Sequence, residues 1–295
     1  MRESGLVIFV GKVGKSVVPG LSLLGVALVW GATFYFVREA LQDIAPFHFL
    51  FYRFWAAALF LLPLAVRERT PRPRQVILHG LAAGLLLFGG YTFQTFGLQY
   101  TSASKAAFLT GLSVVIVPLM EALLKKESPP ASVLLSTALA ATGLGFLSLE
   151  GSLALSYGDW LVLLCAFCFA GHVVFLDRVT HLHSSIHLAL AQLLTVGLVS
   201  AAFLPWESSR IIWSARVIEA LIITAVLATS AAFLIQVKAQ RCLSAAATAV
   251  ILSTEPVFAA LTAYAFGGEI LGLKQLGGCG LILAGMLLVQ AKGAK

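Results

Sequence analysis

Charge is what this chain most lacks. Only 11% of its 295 residues are Asp, Glu, Lys or Arg, against about 25% in an ordinary soluble domain. So few charges do not cover a water-facing surface, which excludes a soluble globular fold. Cysteine is scarce as well. Four residues make no disulfide framework. Cys165 and Cys168 have CxxC spacing but sit in an apolar run, LVLLCAFCFAG. No second Cys or His pair stands at ligand spacing, so they read as packing residues and not as a zinc or redox pair. Short stretches of alternating hydrophobicity are missing, which excludes a membrane β-barrel. No phosphate-binding loop is complete either. GKVGKS at 11–16 has Phe9 where the upstream glycine belongs, and no strand precedes it. A cleaved leader is not expected, because the first apolar run exceeds a signal core and no small-x-small site closes it.

What remains is apolar sequence, 59% hydrophobic, in runs of about 17–24 residues separated by short polar punctuation. Lipid offers no partner to an open backbone, so each run is read as a helix. Ten spans are expected: Leu21 to Val37, Pro46 to Val66, Val76 to Leu98, Ser102 to Leu124, Ala131 to Leu149, Gly158 to Leu176, Ile186 to Pro205, Val217 to Val237, Ser244 to Phe266, and Gly272 to Gln290. The expected fold is an all-α integral membrane protein of ten transmembrane helices. Of the 20 Lys and Arg, 14 then fall on one side and four on the other (Arg38, Arg210, Arg216 and Lys274), with Arg53 and Lys105 inside spans. Short cationic loops stay in the cytoplasm. Both termini are therefore expected there, in the plasma or inner membrane. The net charge of +7 reads as a topology signal with anionic lipid head groups as its partner, and not as a nucleic-acid surface.

The back half repeats the front half. At an offset of 142 positions Gln94 falls on Gln236, Ser102-Ala103 on Ser244-Ala245, Val115 on Val257, Glu127 on Glu269, and Gly143 on Gly285. A weak internal repeat in an apolar chain marks a transporter built from two copies of one unit. The units are read as 20–150 and 151–292, after a cytoplasmic segment 1–19. Five spans per unit is an odd number, so the second copy enters the membrane from the opposite face and the two are inverted.

Four stretches carry a family likeness: LVWGATFYFVREAL (28–41), FYRFWAAALFLLPL (51–64), YTSASKAAFLTGLSVVIVPLMEALLKKE (100–127) and LSTEPVFAALTAYAFGGE (252–269). Over about 20 to 290 the chain resembles the drug/metabolite transporter superfamily in its ten-span EamA-type branch. Two departures stand out. Phe169-Ala170 occupies the place of a frequent Trp, and Lys126-Glu127 that of a frequent Gly-Glu. The resemblance implies export of amino acids, other metabolites or toxic cations.

Ionisable groups inside lipid are the best pointers to function, since each costs roughly 2.5–3.5 kcal/mol at a helix centre on insertion scales. Glu255 is the deepest, beside Pro256, which frees a carbonyl one turn earlier. It is read either as a cation or proton site or as a structural hydrogen-bonding group. Lys105, in the first turn of the fourth span, either holds a substrate carboxylate or snorkels to head groups. Glu121 and Lys125 read as a surface i,i+4 pair. The repeat mates Gln94 and Gln236 should face the protein interior, as helix-to-helix contacts or as substrate contacts. Trp30, Tyr35, Tyr91 and Tyr264 are candidates for an aromatic wall, with Trp30 and Tyr91 foremost. Arg53 is expected to pair or snorkel. His172, His181, His183 and His187 are close in sequence; the last three flank a cytoplasmic loop, and the group reads as solvated histidines and not as a metal site. The candidate substrate site is thus Trp30, Tyr91, Gln94, Lys105, Gln236 and Glu255, in a central cavity lined by the first, third, fourth, sixth, eighth and ninth spans. No metal, cofactor or catalytic residue is expected, and the oligomeric state is open. A secondary transporter of small metabolites, working by alternating access, is the leading reading. An integral-membrane enzyme acting on a lipid or lipid-linked substrate is the alternative.

Overall fold

The computed structural model describes residues 3–70, 72–148, 155–207, 211–267 and 272–292. Leu149, Arg210 and Glu269, named above, lie outside them. The described residues form helices and no strand: α1 (Glu3–Ala40), α2 (Pro46–Ala65), α3 (Pro73–Leu98), α4 (Ala103–Gly111), α5 (Ser113–Lys125), α6 (Ala131–Ser148), α7 (Tyr157–Val179), α8 (Ser185–Phe203), α9 (Ala215–Ile223), α10 (Ala232–Ala239), α11 (Ala245–Leu252), α12 (Glu255–Gly267) and α13 (Leu273–Lys292). A π-helical segment, Thr224–Ala231, joins α9 to α10 without a break.

Local chemistry fixes the helix ends. Ser102, Ser156, Ser184, Ser214 and Ser244 each precede a helix, and each hydroxyl accepts from the backbone N–H three residues on, satisfying a donor the helix leaves open. Pro46 and Pro73 open α2 and α3 in the first turn, where no N–H is needed. α2 has no cap of its own. Glu207 supplies one from a distance, accepting from Phe47 N and His48 N at 3.0 Å each. α5 ends at Lys126 with φ 56°, the left-handed C-cap.

Eight rods are long and apolar enough to cross a bilayer: Val17–Ala40, Pro46–Ala65, Pro73–Leu98, Ala103–Lys125, Tyr157–Leu182, Ser185–Trp206, Ala215–Ala239 and Ala245–Thr262. Two shorter apolar helices accompany them, over Ala131–Phe146 and Leu273–Val289. The chain is therefore a multi-pass α-helical membrane protein. The first helix starts well before the expected Leu21. Large apolar side chains such as Leu59, Ile77, Leu123 and Leu287 point outward, as lipid allows.

Two rods are interrupted at matching places. α4 gives way to α5 at Leu112, and α11 to α12 at Ser253-Thr254. Leu112 and Thr254 stand 142 positions apart. The packing is reciprocal too. α3 lies on α7, and its sequence counterpart α9–α10 lies on α1. α6 lies on α13. At that crossing a Cβ on Gly143 would stand 2.6 Å from Gly278 O and 2.8 Å from Ile282 Cγ1, and one on Gly285 would stand 2.7 Å from Ser136 O and 3.4 Å from Ala140 N. Residues 136, 140 and 143 have 278, 282 and 285 as their mates, so each helix meets the other through the same residues. The contacts run in opposite directions along the two chains, so the helices are antiparallel. A Cβ on Gly197 of α8 would stand 3.1 Å from Trp55 of α2, which is its own mate.

Candidate functional site

A cavity opens between the two halves. α1, α3, α4, α7, α10, α11 and α12 contribute to its wall, with Arg53 from α2 and Ser113 from α5. Five of the six candidate residues line it: Trp30, Tyr91, Gln94, Gln236 and Glu255.

Arg53 is its most unusual member. It neither snorkels nor pairs with a carboxylate among the described residues, and it is only 3% exposed. Its Nε donates to Thr229 Oγ1 at 2.7 Å and its Nη2 to Tyr91 Oη at 3.2 Å. The guanidinium carbon lies 4.5 Å from the centre of the Tyr91 ring, a cation–π distance. Phe54 and Phe169 hold Tyr91 edge-on, at 5.0 and 5.3 Å. Phe169, in the place of the frequent Trp, thus keeps an aromatic ring in this wall.

The π segment explains two of these contacts. Ala232 N–H donates to Leu227 O and Thr229 O, not to Ala228 O as in an α-helix. The Ala228 carbonyl instead accepts from Trp30 Nε1 at 2.7 Å. Widening the helix by one residue also presents Thr229 to Arg53. Such π insertions are frequent at functional sites.

Glu255 opens α12 directly after the break. It has no hydrogen-bond or ion-pair partner among the described residues and faces the cavity. A carboxylate in a first helical turn is favoured by the helix dipole. α1 crosses here on a glycine, because any side chain at Gly31 would strike Glu255 O. Gln94 Nε2 donates to Thr110 Oγ1 and Gln236 Nε2 to Gln240 Oε1, both at 3.3 Å. Gln236 Oε1 is buried with no hydrogen-bond partner among the described residues.

Several expectations need correction. Lys105 is not in the cavity wall. Its Nζ lies 2.6 Å from Asp159 Oδ2, and Asp159, fully buried, also accepts from Thr101 Oγ1 at 2.6 Å and Ser156 N at 2.7 Å. A buried carboxylate next to the fourth span's N-terminus outcompetes both head groups and cavity for the ammonium. His172, inside the sixth span, is buried in the cavity wall and not solvated, with Nε2 2.7 Å from Gln192 Oε1. Tyr35 packs on Phe36 and Tyr264 is exposed, so neither lines the cavity. The Glu121–Lys125 pair forms at 2.6 Å, and the other Glu121 oxygen accepts from Ala246 N at 3.2 Å, at the start of α11. Arg53 is the site residue whose place the sequence did not give. Its only signal was its depth.

A model of the EamA-like transporter family matches the chain twice, over residues 19–149 and 156–291. An uncharacterized transporter of Archaeoglobus fulgidus is 35% identical over 278 residues, 94% of this chain and 87% of its own. A second uncharacterized transporter of that organism is 26% identical, covering 90% of this chain and 94% of its own. A crystal structure superposes with TM-score 0.75 at 17% identity, covering 92% of this chain and 96% of its own, which is a likeness of fold. With both halves matched and the apolar helices to go with them, the chain belongs to the EamA-like transporter family, within the drug/metabolite transporter superfamily.

Proposed function

We propose that this protein is a secondary transporter that exports small metabolites, amino acids or related amphipathic or cationic compounds, across the cytoplasmic membrane by alternating access. In this reading ten spans form two inverted five-helix repeats, with both termini in the cytoplasm. The reciprocal antiparallel crossing of α6 and α13 supports the inversion, since a two-fold axis between antiparallel helices lies in the membrane plane. The 14-to-4 cation count supports the orientation. The energy comes from a gradient, because the sequence carries no nucleotide-binding loop.

One observation carries the substrate class. The cavity wall holds a cation, Arg53, and a carboxylic acid, Glu255, neither with an ion-pair partner among the described residues. A small zwitterion answers both. Its carboxylate goes to Arg53 and the Tyr91 hydroxyl, its ammonium to Glu255, and its side chain to the Trp30, Phe169 and Phe233 rings. A large anion meets Glu255 with nothing to offset the repulsion. Purified protein in liposomes tests this by counterflow of radiolabelled neutral amino acids. Glu255→Gln is expected to lower uptake about ten- to hundredfold, the range for one hydrogen bond to a charged group, while the protein stays monodisperse. Wild-type rates in this variant at every pH would remove Glu255 from the mechanism. A substrate chemically altered on passage would favour an enzyme instead.

A further inference from the structure

A second depression lies at one face of the bundle, where the α2–α3, α7–α8 and α10–α11 turns meet. Arg69 and Arg72 line it from the first turn, His181 and His183 from the second, and Arg241 from the third, with Glu68 as the carboxylate in the wall. The three arginines have no ion-pair partner among the described residues. His183 is the buried member, 6% exposed. Its Nε2 lies 2.7 Å from His79 Nδ1, and His79 is not part of the wall. The other ring nitrogen, His183 Nδ1, is buried with no hydrogen-bond partner among the described residues, as is Thr70 Oγ1 in the same wall. Buried polar atoms in native proteins are almost always bonded. Two orphans on residues that line a depression walled by three guanidinium groups and one carboxylate point to an absent anionic acceptor.

We propose that this depression binds a phosphate group, carried either by an anionic lipid headgroup or by a phosphate in solution. Guanidinium forks match phosphate oxygens in pairs. Burial, with His79, Arg72 and His181 adding their positive charge, holds the His183 imidazole below the ordinary histidine range. The ring is therefore neutral at pH 7, with one N–H to place. If His79 Nδ1–H donates to His183 Nε2, the His183 proton sits on Nδ1 and, like the Thr70 hydroxyl, has no acceptor among the described residues. Ser184, which caps the 19-residue helix α8, is also in the wall, so the positive end of that helix contributes its field. The three turns come from both halves of the chain. A bound phosphate therefore bridges the halves and stabilises the arrangement in which these turns meet.

The test compares two double variants of equal charge. Arg72→Gln/Arg241→Gln empties the wall of two guanidinium groups. Arg67→Gln/Arg74→Gln removes two from the same loop region outside the wall. Native mass spectrometry after exchange into phosphatidylglycerol or phosphatidylcholine micelles reads lipid retention, and thermal unfolding against inorganic phosphate reads solution binding. Retention of phosphatidylglycerol that drops roughly tenfold in the first variant alone identifies a lipid headgroup site. A phosphate-dependent rise in melting temperature lost in the first variant alone, without lipid retention, identifies a site for soluble phosphate. Equal behaviour of the two variants in both assays overturns the proposal, leaving a diffuse cationic face. Should the first variant not fold, His183→Asn carries the same comparison.

Discussion

A guanidinium 3% exposed inside an apolar bundle demands compensation, and Arg53 receives it from a hydroxyl, a phenol and two aromatic rings. None of these neutralises the charge, which stays available to an incoming carboxylate. Arg53→Gln is therefore expected to weaken the apparent affinity for a zwitterion about ten- to hundredfold, with little change for a substrate lacking the carboxylate. Thr229→Val keeps the shape but removes the Nε acceptor, and should raise KM roughly tenfold through lost orientation. Equal losses for carboxylate-bearing and carboxylate-free substrates would turn Arg53 into a structural residue. His183 gives a second residue-scale expectation. Its folded pKa lies below the ordinary 6.5, first through burial and then through His79, Arg72 and His181; Arg69, Arg241 and Glu68 share the same wall. For a base with a depressed folded pKa, the unfolded chain takes the proton first. Stability attributable to this group is thus complete above about pH 6.5 and falls as the pH drops below it. His183→Asn should flatten that part of the melting-temperature curve, and an unchanged slope would refute the assignment.

At the scale of elements, helices and their order were legible because lipid leaves the backbone no other choice. Cap chemistry is local, and Ser102 and Ser244 cap their helices without help from a distant segment. What the sequence did not disclose depends on contacts between distant segments. The π segment Thr224–Ala231 carries no proline or glycine signal; its widening is stabilised by Trp30 taking the Ala228 carbonyl, 198 positions away. Without it the Arg53–Thr229 bond has no sequence trace. Glu255, Gln94 and Gln236 were visible because a polar group is conspicuous in an apolar run, whereas Asp159, which sits at a span's edge, was not. The α6–α13 crossing is an element-scale prediction in its own right. Gly143→Leu drives a side chain into Gly278 and Ile282 and is expected to cost about 1–3 kcal/mol, seen as a lower melting temperature, and Gly285→Leu should match it through Ser136 and Ala140. Two clearly unequal losses would contradict the reciprocity of the crossing.

At the scale of the whole molecule, the two halves are tied to each other at both faces. Opposite the basic turns, ties between the halves are ionic or charge-assisted: Lys105 and Thr101 to Asp159, Arg216 and Ser214 to Asp43, and His48 to Glu207. Under alternating access these contacts close one mouth and must part when the cavity opens there. Asp159 is the most central, being fully buried with its partner Lys105 at 35% side-chain exposure. That exposure screens the pair, so its loss falls well short of a fully buried bridge. A bias of about 1.4 kcal/mol still raises the open population about tenfold. Asp159→Asn is therefore expected to increase the labelling of a single cysteine at Ser113, in the cavity wall, by an impermeant maleimide from outside the cell, in a background lacking Cys165, Cys168, Cys242 and Cys279. Single cysteines at Gly151 and Ser209, which lie outside the described residues, should label from outside, and one at Arg69 from inside. External labelling at Arg69 would reverse the orientation. With orientation upheld, an unchanged rate at Ser113 would mean that the Lys105–Asp159 pair is part of the fold and not a latch on the outer mouth.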